Sequence, residues 1–452
     1  MAPISDRTPA MTRWIPFRSA RFWVAAAILV GLSAAYRSMR RPREEIAQIR
    51  ARLTAQGVPL SLEELENEYS PVPDGRNAAF QLVPILSRFP QIRSPESGSS
   101  RPRSALAADE KVTALGVEAA FQQELHLIHE LLSLPDFWVP GWKTNLDFCG
   151  PAFLTEEWLL RIAEVQIDRG QVAAGISSLV DAFKLADIPY KTPGSIVPLL
   201  KLYRCNQAAK AVEILVNSRP LPRQALDSLD GQVEPLLDRH DVARSIQYGL
   251  LFAEWIFNQK NGVYKSAGPR PFPEALQRRF GDWSYVMIGR RTADRLDLLR
   301  ANSAYLELSK RSTSELIGTW TLPGGGAPLP PLRPKWDPYG SLHDSSLQTW
   351  IWIRREAVLR TRALLTHVGL AVERYRRDHQ EQPPDSLDAL VPNYLSAVPT
   401  DPFGNGPLHY QRLPAGFRIY SVGTNLRDDG GVPVVDEEAF DAPCDLTFTV
   451  EN

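Results

Sequence analysis

The sequence predicts a mainly α-helical protein that ends in a small α+β domain and carries an apolar helix near its N-terminus. Apolar residues recur at spacings of three and four through residues 44–315, as on one face of a helix. Apolar–polar alternation, which predicts strands, is confined to the region after residue 400. A Gly- and Pro-rich stretch at 316–345 lies between these regions and is predicted to be a linker.

The composition is that of a folded protein with two or three domains. Of its 452 residues 44% are hydrophobic and 23% are charged, which excludes a disordered chain, a collagen and a multi-span membrane protein. The 51 basic and 52 acidic residues give a net charge of −1, and this balance predicts no nucleic-acid partner. Three Cys are too few for a disulfide framework.

Residues 1–43 are predicted to hold a membrane anchor. Phe22–Tyr36 is a run of fifteen residues without a charge, with Arg residues before and after it. As a helix it would rise about 22 Å, and flanking Arg side chains can extend to the interfaces of a ~30 Å hydrocarbon core. A cleaved signal peptide with its site at 33–35 and a buried or interfacial helix stay open as alternatives. The flanking charges balance, so they give no orientation.

Residues 44–315 are predicted to form a large irregular helical domain. The predicted helices cover 44–56, 77–89, 110–134, 155–167, 171–186, 196–217, 222–238, 240–259 and 291–311. The tripeptide Asp168-Arg169-Gly170 interrupts the pattern and predicts a tight helical hairpin there.

Few side chains of this domain suggest chemistry. His126 and His129 share a helix face without an obvious third metal ligand, so packed or surface histidines are favoured. Glu156 and Glu157 are placed at a helix start, where the helix dipole favours carboxylates. An aromatic cluster is interpreted as core packing, with a ligand groove as the alternative; it comprises Phe137, Trp138, Trp142, Phe148, Phe153 and Trp158. The sequence has no nucleophile elbow, phosphate-binding loop or Cys-x-x-Cys pair, so no enzyme is predicted.

Residues 346–452 are predicted to form the α+β domain, with a long helix and a small antiparallel sheet. The helix covers 350–377 and carries one apolar stripe. A short helix at 385–390 and strands at 408–411, 417–421 and 446–450 follow it.

Several motifs of this domain occur in a specific order. AVERYRRDHQEQPPDSLDALVPNYLSAVPTDPFGN begins at Ala371, and GFRIYSVGTNLRDDGG begins at Gly416. They contain a helix end, a short Leu-rich helix, the turn at 399–405 and a loop that opens at 420–423. This order resembles the C-terminal domain of the major pseudopilin of type II secretion systems. The resemblance implies a pilin-like fold and a location outside the cytoplasm.

In that family, the loop after Ser-x-Gly binds calcium through acidic side chains and backbone carbonyls. The resemblance therefore implies a calcium site here, with Asn425, Asp428, Asp429, Asp436 and Asp445 as the metal ligands. The composition agrees, because residues 381–452 contain twelve acidic and three basic residues, and calcium takes about six to eight oxygen ligands. A solvated acidic loop without an ion is the alternative. Weak calcium sites suit extracytoplasmic calcium levels, which favours a body outside the cytoplasm.

The expected function is that of a single-pass, membrane-anchored protein of the cell envelope. We expect a structural or adaptor role with a protein partner in the envelope, linked to secretion or pilus-like machinery. One alternative is an extracytoplasmic binding module whose helical domain holds a peptide or small ligand. Another is an enzyme whose active site is spread through the helical domain.

Overall fold

A computed structural model describes residues 20–61, 78–89, 105–134, 145–187, 197–238, 290–311, 341–404, 406–433 and 445–451, together with a few isolated positions between them. Within these residues the chain is mainly helical and has a small antiparallel sheet near its C-terminus, which confirms the predicted fold class at that level.

The helices follow one another along the chain and precede the sheet. They are α1 (Ala20–Ala55), α2 (Ala78–Leu86), α3 (Ala108–Ala120), α4 (Gln122–Leu132), α5 (Asn145–Asp168), α6 (Val172–Ala186), α7 (Val197–Ser218), α8 (Arg223–Val233), α9 (Arg290–Ser309) and α10 (Ser341–Asp378). Short 3₁₀ turns cover Glu234–Leu236 and Leu387–Leu390. The strands are β1 (His409–Leu413), β2 (Gly416–Ser421) and β3 (Leu446–Glu451).

The helical hairpin predicted around Gly170 is present. Helix α5 ends at Asp168 and α6 begins at Val172, and Gly170 has a φ of +81°, a conformation that favours glycine. The two helices approach closely at Gly175, where a Cβ would lie 2.5 Å from Cγ1 of Ile167. The hairpin is therefore fixed by glycines in its turn and in its helix contact.

Several helix bounds differ from their predictions. The segments predicted at 22–36 and 44–56 form the single helix α1, and the segment predicted at 110–134 is divided into α3 and α4. Helix α5 begins at Asn145 rather than at residue 155 and continues through Pro151. Because proline has no amide donor and usually interrupts a helix, the sequence predicted a start after it. The placement of Glu156 and Glu157 at a helix start is therefore wrong, since both lie in the middle of α5. Helix α10 begins at Ser341 rather than at residue 350. Most of the predicted helix at 240–259 and the linker residues 316–340 lie outside the described residues.

The sheet has the order β1–β2–β3, with both neighbouring pairs antiparallel. In the register, Ile419 of β2 lies opposite Tyr410 of β1 and Phe448 of β3. Ile419 and Phe448 are buried, so one face of the sheet belongs to the core.

Helix α10 joins this sheet to the helices that precede it in the chain. It packs against α7, α8 and α9 and also against β2 and β3. Its Gly369 lies so close to β3 that a Cβ there would be 2.3 Å from the ring of Phe448. Buried apolar residues form a continuous cluster from Ile46 on α1 to Val450 on β3.

Polar contacts add to the packing between α8 and α10. Asp230 of α8 accepts hydrogen bonds from Nδ1 of His367 at 2.6 Å and from the guanidinium of Arg374 at 2.9 Å. One turn further, Arg223 pairs with Asp378, which also accepts a hydrogen bond from the Tyr394 hydroxyl at 2.7 Å. These contacts fix the rotation of α10 about its axis relative to α8.

Helix α1 has two contrasting parts. Its C-terminal part buries Ile46, Ile49 and Leu53 in the body of the protein. Its N-terminal part exposes large apolar side chains, each 56% to 69% accessible: Trp23, Val24, Ile28, Leu29, Val30 and Tyr36. Among the described residues, no helix combines the length and the apolar character needed to cross a membrane.

Candidate calcium loop

The candidate site is the connection between β2 and β3, and Asp401 holds its first residues in place. The carboxylate of Asp401 is buried and accepts hydrogen bonds from the hydroxyl of Ser421 at 2.5 Å and from the amide of Val422 at 2.9 Å. It also accepts one from the amide of Phe403 at 2.9 Å. Asp401 thus fastens the turn at 399–405 to the loop that opens at 420–423.

Asp445 lies at the other end of the connection and is fully buried. Its two carboxylate oxygens accept hydrogen bonds from the amides of Gly431 at 2.6 Å and Asp429 at 3.3 Å. Its own amide donates to the carbonyl of Val432 at 2.6 Å. The backbone wraps around this side chain because Gly430 and Gly431 have φ values of +74° and +81°, which favour glycine.

The remaining predicted ligands within the described residues occupy the same loop. Asn425 donates from Nδ2 to Oδ2 of Asp429 at 2.7 Å, and its Oδ1 accepts from the amide of Arg427 at 2.9 Å. Asp428 accepts at Oδ1 from the amide of Gly430 at 2.9 Å. The structure therefore brings Asn425, Asp428, Asp429 and Asp445 into one loop. Asp436 lies outside the described residues.

The described part of the loop is rich in negative charge, with Nδ1 of His409 3.6 Å from Oδ2 of Asp428 as a basic neighbour. Burial raises the pKa of Asp445, the hydrogen bonds from Gly431 and Asp429 lower it, and the negative charges of Asp429 and Asp428 raise it further. Burial also raises the pKa of the Tyr420 hydroxyl, and the charge of Asp428 adds to this effect. Because the charges of Asp428 and Asp429 disfavour the ionisation of Asp445, a bound cation would lower the free energy of the loop.

The fit to calcium rests on oxygen chemistry. Carboxylates of Asp428, Asp429 and Asp445 and the amide oxygen of Asn425 are ligand types that calcium prefers. Over the part of the chain that is described, no group of three or more His, Cys, Asp or Glu side chains has the spacing of a formed metal site. Oxygens of Asn425, Asp428 and Asp445 accept from backbone amides, and Oδ2 of Asp429 accepts from Nδ2 of Asn425. Ion binding would have to share or replace these bonds.

The other candidate residues are engaged in packing and pairing. His126 lies 3.3 Å from Glu130, whereas His129 lies 2.8 Å from Asp181, so the two imidazoles bind different carboxylates. Of the aromatic cluster, Phe153 stacks on Tyr203 with ring centroids 6.0 Å apart and Trp158 is buried beside Arg161. Phe137, Trp138 and Trp142 lie outside the described residues, and Phe148 lies on α5.

A buried charge pair in the helical region was missed by the sequence analysis. Glu156 of α5 pairs with Arg204 of α7, and both side chains are almost completely inaccessible. Arg204 also donates to the carbonyls of Ala152 at 3.2 Å and Leu185 at 2.9 Å. A signal was available in the charged residues within otherwise apolar helical patterns, because a charge on a buried face needs a partner.

Comparison of the chain with protein-family models, with curated proteins and with solved structures gives no match in any of the three.

Proposed function

We propose that this chain is a non-enzymatic, membrane-anchored protein of the cell envelope whose pseudopilin-like C-terminal domain carries a calcium-binding loop and whose role is structural or adaptor. The observation that carries the proposal is the contrast within α1. Its C-terminal part packs Ile46, Ile49 and Leu53 into the body, while its N-terminal part exposes six large apolar side chains between Trp23 and Tyr36. Such a surface marks a contact with a membrane or another protein.

The surroundings of this surface favour a membrane. Arg residues flank the uncharged segment on both sides, and Arg side chains can bury their aliphatic stems while their charged ends reach lipid headgroups. Because α1 is one helix from Ala20 to Ala55, the body would be held directly at the membrane surface. This placement supports a role in which the protein presents its C-terminal domain to a partner in the envelope.

Calcium binding follows from the charge of the loop. The loop holds the carboxylates of Asp428, Asp429 and Asp445, and burial together with the charges of the other two raises the pKa of Asp445. Calcium would neutralise this charge and stabilise the loop in its folded conformation. An envelope location outside the cytoplasm would supply calcium at the concentrations that weak sites require.

Membrane anchoring is tested by fractionation of cells that produce the full chain. We expect the protein to stay with the membranes after washes with high salt and alkaline carbonate. Leu29→Arg should release it, because a charge at the centre of an apolar span costs about 2.5–3.5 kcal/mol. Val112→Arg is the matched control, since Val112 is exposed on α3, outside the apolar segment. Release of the unmodified chain by carbonate would contradict the anchor.

Calcium binding is tested by thermal melting of the detergent-solubilised full chain with calcium, magnesium or chelator. A ligand present at about 100 times its Kd stabilises the folded state by about 2.7 kcal/mol. We expect a calcium-selective rise in Tm that Asp428→Asn/Asp429→Asn abolishes and that Asp388→Asn, an exposed carboxylate outside the loop, preserves. No shift at millimolar calcium would refute the metal site and leave the anchor prediction to its own test.

The adaptor role is tested by purifying the full chain from membranes in calcium and in chelator. We expect a defined envelope protein to co-purify in calcium and to be lost with the Asp428→Asn/Asp429→Asn variant. If the same protein co-purifies in chelator and with the variant, the loop does not form the surface that binds the partner.

A further inference from the structure

Strand β3 is an edge strand of the sheet, and helix α7 covers its free edge. The sheet order places β2 on one side of β3 and no strand on the other within the described residues. The amide of Thr449 donates to Oε1 of Glu213 at 3.0 Å, and its carbonyl accepts from Nδ2 of Asn217 at 2.7 Å. The amide of Glu451 donates to Oδ1 of Asn217 at 2.8 Å.

Asn217 takes the place of a peptide group of a neighbouring strand. Its side-chain amide donates to one residue of β3 and accepts from the residue two positions further, the spacing at which a strand edge presents outward-facing groups. The helix holds this side chain in place, because Nδ2 of Asn217 also donates to the carbonyl of Glu213 at 2.8 Å. Glu213 is itself positioned by Nζ of Lys210, 2.5 Å from its other oxygen.

The covered strand has the composition of a segment that adds readily to other strands. Leu446–Val450 reads LTFTV, with only β-branched, aromatic and aliphatic residues and neither a charge nor a proline. Such segments on an exposed sheet edge are templates for pairing with another chain, and proteins commonly shield them with a helix or loop.

We infer that Glu213 and Asn217 form a cap that prevents β3 from pairing with β3 of a second copy of this chain. The sequence of β3 fits this occupant. In an antiparallel pair related by a two-fold axis through Thr449, each Thr449 faces the other, and Thr447 faces Glu451. Cross-strand Thr pairs are favourable, and no like charges stand opposite one another. The inference does not depend on the membrane anchor or on calcium binding, because the cap contains no residue of the apolar segment or of the candidate calcium loop.

The first test is amide hydrogen exchange of the detergent-solubilised full chain. Asn217→Ala should speed the exchange of the Glu451 amide by about tenfold, as expected for the loss of its hydrogen bond to Oδ1 of Asn217. Glu213→Ala/Asn217→Ala should also speed the exchange of the Thr449 amide, which donates to Glu213, whereas exchange in β1 should not change. Ser218→Ala is the matched control, because that hydroxyl on the same helix binds only the carbonyl of Ile214 among the contacts described. Unchanged exchange in β3 would overturn the cap.

The second test measures the molar mass of the same variants by light scattering over a range of protein concentrations. We expect self-association to increase in Asn217→Ala and more so in Glu213→Ala/Asn217→Ala, relative to the unmodified chain and Ser218→Ala. Adding Thr449→Pro should reverse the increase, because proline removes the outward amide that strand addition needs, and edge strands tolerate proline at such positions.

Either of two results would contradict the inference that a second copy of the chain pairs with β3. One is faster exchange in β3 without increased self-association at any concentration. The other is self-association that persists with Thr449→Pro. If the double variant unfolds, seen as a loss of helical circular dichroism, Asn217→Asp provides the same test, because it keeps the acceptor for Glu451 and removes the Nδ2 donor to the carbonyls of Thr449 and Glu213.

Discussion

The helical region and the C-terminal domain each bury an aspartate, but they surround it differently. Asp181 on α6 has a basic neighbour, with the His129 imidazole 2.8 Å away. Asp445 has acidic neighbours in Asp428 and Asp429 and is held by backbone amides. Burial raises the pKa of both carboxyls, yet His129 lowers that of Asp181 and the neighbouring acids raise that of Asp445.

A second pair of buried carboxylates shows the same contrast. Glu156 pairs with Arg204 in the helical core, whereas Asp401 is satisfied by a hydroxyl and two amides. The contrast separates the helices from the turn and loop around the sheet, since buried Glu373 on α10 also pairs with Arg376 and Arg377. Hydrogen-bond donors leave the negative charge of a carboxylate in place, which is why the calcium proposal concerns the loop.

The largest effect is expected from breaking the buried ion pair. Glu156→Gln leaves the Arg204 guanidinium buried without an opposite charge, which should lower the free energy of unfolding by about 3–5 kcal/mol. Glu157→Gln is the control on the next residue, and its partner Arg161 keeps Glu110 at 3.1 Å. Thermal or urea unfolding measures both. Equal losses of unfolding free energy in the two variants would contradict the larger contribution expected from the buried pair.

Removing the hydrogen-bond acceptor of the loop should cost less. Asp445→Ala leaves the amides of Gly431 and Asp429 without their acceptor, and relief of repulsion from nearby carboxylates offsets part of this cost. We expect a loss of about 1–3 kcal/mol in chelator, measured by the same unfolding experiments. Asp445→Asn should lose less, because its amide oxygen remains an acceptor. A larger loss for Asn than for Ala would contradict this account.

Close helix packing gives the next comparison of the two regions. Gly369→Ala places a methyl group against the ring of Phe448, and overpacking of this kind costs about 1–3 kcal/mol. Gly175→Ala should also destabilise the protein, because its Cβ would lie 2.5 Å from Cγ1 of Ile167 and 2.9 Å from the carbonyl oxygen of Ala163. Gly231→Ala is the control, since no heavy atom lies within 4 Å of its Cβ position. It should raise the melting temperature slightly, because alanine favours helix over glycine.

The smallest effect is a change in the pH dependence of stability. The raised pKa of Asp445 means that the folded state binds this proton more tightly than the unfolded chain does. The free energy of unfolding should therefore fall as pH rises from about 4 through the folded-state pKa. Asp445→Asn should flatten this slope in chelator and leave the contribution of Asp181. Unfolding curves at several pH values measure it, and an identical slope in the variant would contradict the assignment.

Helix positions could be predicted from the sequence because helical periodicity is a local property of the chain. The hairpin around Gly170 and the three strands occur where the pattern places them. The start of α5 could not be predicted in this way, because packing of the helix in the core outweighs the local cost of Pro151. Predictions failed where tertiary contacts overrode a local signal.

The candidate site was predictable in its residues but not in its contacts. The resemblance, in agreement with the acid-rich composition, pointed to Asn425, Asp428, Asp429, Asp436 and Asp445, and the structure places the four described residues of this set in one loop. The sequence did not indicate that Asp445 would be fully buried and bound by Gly431, fourteen positions away. Nor did it show that Asp401 fastens the loop, since a turn aspartate is usually satisfied by its own neighbours.

By itself the sequence determined the helical content, the uncharged segment at 22–36 and the acidic character of the C-terminal domain. Only the tertiary structure decided which groups meet, as in Arg204 with Glu156 across 48 positions and Asn217 with Thr449 across 232. Composition and periodicity describe what each segment must bury or expose. The partner of a buried polar group depends on how distant segments pack, because the cost of burial can be met by any suitable donor or charge that packing brings within reach.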